Sequence, residues 1–212
     1  MRVLAGAATL LGVAACDIRK PARGDTSLTE TTALRVTILG DPRDQRLGAV
    51  REALDHWNAE SARLALHVRL DTGTLVSAPV PDDALRSASR AMPWGGIGVL
   101  RLRAALTNVP GDVVIALSNA DLVSFGVSTA TGRLGVIGLR RADRWPLSLP
   151  NTLRNVVAHE LGHVLGLAHN ADSTTLMCGR PAPCRPTAFA SERAHFFPLT
   201  PADERRLRER WP

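Results

Sequence analysis

One window of the chain, His159-Glu160-Leu161-Gly162-His163-Val164-Leu165-Gly166-Leu167-Ala168-His169, constrains the fold more than any other, because it holds three of the six histidines at fixed offsets. Leu153, Val156, Val157, Leu161, Val164 and Leu165 recur at helical spacing, so the window opens inside an amphipathic helix. Residues four apart lie on one helix face, which lets His159 and His163 turn their rings toward one ion while Glu160 projects beside it. His169 cannot join them from a straight helix, since ten residues rise about 15 Å. The chain must break and return. Gly166 stands where the break is needed, and glycine ends a helix in the left-handed conformation without steric cost. Three nitrogen ligands with one open position is the donor set of a catalytic zinc, one ion with its ligands at about 2.0–2.1 Å. A chance pair of histidines would explain the first five residues but not the glycine and the third histidine in register with them.

The rest of the chain sets the context. With 212 residues and 45% apolar content, one globular domain is expected. The +6 charge is carried almost wholly by arginines scattered along the chain, and aromatics make up 4%, which disfavours a nucleic-acid partner. Arg2 and the apolar run that follows it read as an export signal over 1–15, too short for a stable transmembrane helix. The run ends in Val13-Ala14-Ala15-Cys16, similar to a bacterial lipobox, so Cys16 is the expected lipidation site. Residues 16–32 then read as a polar tether, and 33–212 as the folded domain. The expected location is a bacterial membrane, with the domain facing periplasm or exterior and touching the membrane through the lipid only. In such an oxidising compartment Cys178 and Cys184, with five residues between them, suit a local disulfide.

Strands are expected at 34–39, 64–70, 113–117 and 134–139, with a helix through Leu47, Val50, Leu54 and Trp57. Residues 71–110 read as a long excursion with one strand at most. Asn151 is the expected N-cap of the histidine-bearing helix. Thr200, Pro201 and Asp203 signal a closing helix.

The window resembles the zinc signature of the metzincin metallopeptidases, matrixin-like members in particular, and Thr175-Leu176-Met177-Cys178-Gly179 resembles their Met-turn. The resemblance implies an α+β, zincin-like fold: a twisted mixed sheet on two long helices, an active-site helix, a Met-turn and a small C-terminal subdomain with a terminal helix. It implies zinc on His159, His163 and His169, Met177 as an apolar floor, and hydrolysis of peptide bonds through a zinc-activated water with Glu160 as general base. The expected partner is an extended peptide or protein substrate of a monomeric enzyme, laid along an edge strand at 134–139 and facing a pocket wall over 178–197. With no tyrosine in the chain, a tyrosine ligand after the Met-turn is excluded. Structural calcium is not legible. Two rival readings are a catalytically silent zinc-containing surface lipoprotein that binds a protein partner, and a structural zinc closed by Cys178 as fourth ligand.

Overall fold

The computed structural model describes residues 30–91, 96–106, 108–179, 184, 189–191 and 193–212. The export signal, Cys16 and nearly all of the tether lie outside them.

A five-stranded sheet has the order β4-β2-β5-β7-β6, built from β2 (Val36–Leu39), β4 (Thr74–Val76), β5 (Val113–Leu117), β6 (Phe125–Ser128) and β7 (Gly135–Leu139). All neighbours are parallel except β6, which runs antiparallel to β7. Alternate side chains take opposite faces. Ile38, Ile115, Leu117, Ile137 and Leu139 join the larger core, with residues of α1 (Leu47–Arg63) and α4 (Pro150–Val164). Leu39, Val114, Ala116 and Val136 join a second core, with Leu85 of α2 (Asp82–Arg90) and Leu102 of α3 (Gly96–Ala104). Burial on both faces is why β5 reads as a continuous apolar run. The α+β expectation is met.

Several local expectations change. Residues 71–110 carry two helices besides β4, with α2 opened by Asp82 and Asp83 in its first turn. Arg35 divides the first expected strand: its backbone N–H donates to the Asp112 carboxylate at 2.8 Å, and β1 (Thr32–Leu34) leaves to pair with β3 (Val68–Leu70). The alternation at 64–70 is real as burial, since Leu64, Leu66, Val68 and Leu70 are all buried, yet only the last three residues are strand. Leu64 caps α1 instead, because that helix runs through the polar stretch to Arg63.

Two corrections bear on the site. The strand at 134–139 is not an edge, for β7 lies between β5 and β6; the edge on that side is β6, which is too short and too glycine- and serine-rich to show a period. Asn151 is not the N-cap either. Leu149 holds that position with Pro150 at the first helical residue, and Asn151 is buried. The closing helix α5 (Pro201–Arg210) forms as expected, with a capping box between Thr200 and Asp203. Among the described residues no helix is long and apolar enough to cross a membrane.

Candidate metal centre

The active-site helix α4 is fixed before any ligand is considered. Trp57 of α1, fully buried, donates its indole N–H to the Ala158 carbonyl at 2.8 Å. At Gly162 a Cβ would lie 2.6 Å from Met177 Sδ and 3.2 Å from the Trp57 ring, so glycine there lets both pack directly on the helix backbone. Met177 is itself fully buried. The helix ends as the sequence requires. Gly166 has φ of 103°, its N–H donates to the His163 carbonyl at 3.1 Å, and the Leu167 N–H donates to Gly162 at 2.9 Å. These two bonds make a Schellman closure.

The break brings the three histidines together. Their Nε2 atoms stand 3.1 Å (His159 to His163), 3.0 Å (His163 to His169) and 3.2 Å (His159 to His169) apart. Nδ1 of His159 lies 2.7 Å from the Leu176 carbonyl, and Nδ1 of His163 lies 2.9 Å from the Leu167 carbonyl. A carbonyl only accepts, so these Nδ1 atoms carry the protons and the Nε2 atoms present lone pairs. Lone pairs facing one another at this range call for a cation between them. Nitrogens around a tetrahedral zinc would be about 3.3 Å apart, so the donor set fits that ion closely. Among the described residues this is the one group of three His, Cys, Asp or Glu side chains that could hold a metal.

The surroundings tune these groups. Burial pushes the His159 imidazole down to about 3, with neighbouring His163 adding to the shift and the Leu176 carbonyl opposing it. His163 falls to about 4 for the same reason, opposed by the Leu167 carbonyl. Both rings are therefore neutral and ready to ligate. Glu160 is 7% exposed and burial raises its carboxyl to about 8, against the pull of a hydrogen bond from the Gly126 N–H. Strand β6 is thus bonded to the acid of the site, and Gly126 approaches so closely that a Cβ would lie 2.1 Å from the Glu160 carbonyl oxygen. Sequence reading missed Gly126; the signal available was a lone glycine within Ser124-Phe125-Gly126-Val127-Ser128, a sign of close backbone approach.

After the Met-turn, Cys178 and Cys184 form the expected disulfide, with Cα atoms 5.8 Å apart. The bond removes the thiolate that a fourth, closing ligand would need. At Gly179 a Cβ would fall 2.3 Å from the His169 ring, so glycine gives that ring its place. The returning chain is tied to α4 by amides. Asn151 donates to the Phe189 carbonyl and accepts from the His195 N–H, while Asn155 donates to the Asn151 and His195 carbonyls and accepts from the Phe197 N–H. Phe189 thereby sits 6.4 Å, centroid to centroid, from His159. Much of the expected pocket wall, including 180–183 and 185–188, lies outside the described residues.

The matrixin family model matches residues 117–190, a span that holds the edge strand, the three histidines, Glu160 and Met177. The resemblance to matrixin-like metzincins is met by this match, and it points to a zinc metallopeptidase. A search of curated proteins finds no match. Among solved structures the chain is similar to archaemetzincin from Methanopyrus kandleri, with 17% identity over 84% of this chain and 95% of that one and a TM-score of 0.46.

Proposed function

We propose that the chain is a zinc-dependent endopeptidase in which His159, His163 and His169 hold the ion and Glu160 is the general base. The observation that carries this reading is the convergence of three Nε2 atoms within 3.2 Å of one another beside a buried carboxyl. Zinc, when bound, supplies a Lewis acid that acidifies a water and polarises the scissile carbonyl. With a cation beside it the Glu160 carboxyl, protonated at neutral pH in the metal-free chain, would ionise, and as a carboxylate it takes the proton of the attacking water and passes it to the departing amine. The Gly126 N–H holds the carboxylate in place while it does so. Leu176 and Leu167 carbonyls keep the His159 and His163 rings in the ligating tautomer. Met177 forms the apolar floor.

The substrate is an extended peptide added to the outer edge of β6. Because the Gly126 N–H reaches Glu160 rather than β7, residues 126 and 128 turn their backbone groups outward, and strand addition there lays a peptide beside the catalytic acid. Export, lipidation at Cys16 and a monomeric state with a domain over 33–212 belong to the same proposal.

The test is a peptide library incubated with the purified 33–212 domain, with and without chelator, read by mass spectrometry. Cleavage that chelator abolishes and zinc restores is expected. Glu160→Gln should keep the metal and lower kcat/KM by about 10²–10⁴-fold. A fully metallated wild type that cleaves nothing would overturn the peptidase and leave a zinc-containing lipoprotein that binds a protein partner. Cys16→Ser should release the protein from membranes; unchanged membrane retention would refute the anchor.

A further inference from the structure

The end of the active-site helix leaves carbonyls to be satisfied. The Schellman bonds take those of Gly162 and His163. Those of Leu165 and Gly166 point out of the helix just where the chain turns to deliver His169. Both are taken by one distant element. Trp211, the residue that caps α5, donates its indole N–H to the Leu165 carbonyl at 3.0 Å in a buried bond, and Arg206 of α5 donates to the Gly166 carbonyl at 2.8 Å. The aliphatic part of Arg210 lies over Gly166, close enough that a Cβ there would meet it at 2.4 Å.

The same helix also reaches the far side of the turn. Asn170, directly after His169, donates its side-chain amide to Asp203 at 3.1 Å, the carboxylate that closes the α5 capping box. The segment 165–170 is therefore gripped at Leu165, Gly166 and Asn170 by one rigid helix. Trp211 is anchored in turn, since its carbonyl accepts the His67 N–H at 3.1 Å and its ring is buried.

We infer that α5 is a splint for the third zinc ligand, with Trp211 and Arg206 as positioning residues that hold the 165–170 turn so that His169 meets His159 and His163. The inference rests on the zinc-site reading above. His159 and His163 are placed by α4 itself; His169 alone reaches the site through a turn outside any regular element. Loosening the turn should therefore weaken the third ligand selectively and leave a two-histidine site that binds metal less tightly and with more open coordination.

The experiment uses the full-length protein and measures zinc affinity by chelator competition, the visible spectrum of the Co²⁺ form, and the urea midpoint of the metal-free form. Trp211→Phe keeps the ring and removes the donor; it should raise the zinc Kd about tenfold and weaken the Co²⁺ bands as coordination opens. Arg206→Ala, at an exposed position, should act in the same direction by a smaller factor, and keeps the test alive should Trp211→Phe not fold. Arg205→Ala on the same helix is the control. Should both variants fold and bind zinc within twofold of wild type, α5 is merely packing and the proposal is lost. A lowered urea midpoint with unchanged zinc affinity sinks it too. A wild type that binds no zinc overturns the metal site and the splint together, whereas one that binds zinc tightly but cleaves no peptide leaves the splint standing and removes the peptidase.

Discussion

Asn155 shows how one side chain ties the active-site helix to the segment that returns past it. It is fully buried and makes three hydrogen bonds, two of them to the 195–197 segment. Asn155→Leu keeps the volume and leaves the Phe197 N–H and His195 carbonyl without partners, at about 1–3 kcal/mol for each buried group left unpaired. The expected result is a lower urea midpoint together with faster amide exchange at Phe197, with zinc affinity retained. At this scale the meeting of His159, His163 and His169 was legible, because only a helix broken at Gly166 brings histidines at those offsets together. Asn151 and Asn155 were not, since their partners are backbone groups about forty residues away and nothing in the local pattern announces them.

Among the elements, α4 and the break that ends it carry the site. Gly166 adopts φ of 103° and lies against Arg210, so Gly166→Ala meets both a strained backbone and an occupied space. The cost should be about 1–2 kcal/mol from the backbone alone. Calorimetry of the metal-free domain should show the lower melting temperature, and chelator competition should show weaker zinc binding. Helix α1 and strands β5 and β7 were readable because burial on one stripe or on two faces leaves a plain apolar record. Helices α2 and α3 were not. Proline and glycine between 79 and 96 mark punctuation but hide the two short helices they separate, and among the side chains described there only Leu85, Ala88, Val99 and Leu102 are buried apolar ones. The edge strand β6 escaped because it is short and carries no period, so the sheet edge was expected at 134–139 instead.

For the whole molecule, the metal-free domain should have a stability optimum set by opposing titrations. His159 and His163 fall from about 6.5 unfolded to about 3 and about 4 folded, so their neutral burial favours the fold above pH 6.5 and is lost as pH falls toward those values. Glu160, raised to about 8, acts oppositely: burying it protonated costs nothing extra below its unfolded value near 4.5, and the benefit is lost as pH rises through about 8. Asp44 reinforces the acid side, because hydrogen bonds from Arg46 outweigh its burial and hold it below the usual carboxylate range. Urea midpoints of the chelated domain at pH 5, 6.5 and 9 should therefore peak at the middle value. A midpoint rising steadily from pH 5 to 9 would contradict the buried, protonated Glu160.

The carbonyls of Leu176 and Leu167 have one more effect, on the proton balance of metal uptake. Imidazoles in water must shed hydrogen ions to capture a divalent cation in mildly acid surroundings, and that exchange makes capture weaken as acidity rises. Here desolvation has already stripped the His159 and His163 rings, and the two carbonyls aim what remains. Loading at pH 5.5 should accordingly release almost nothing from those two rings. Titration calorimetry of Glu160→Gln in buffers of different ionisation enthalpy would count far fewer protons released than three free imidazoles in water give up.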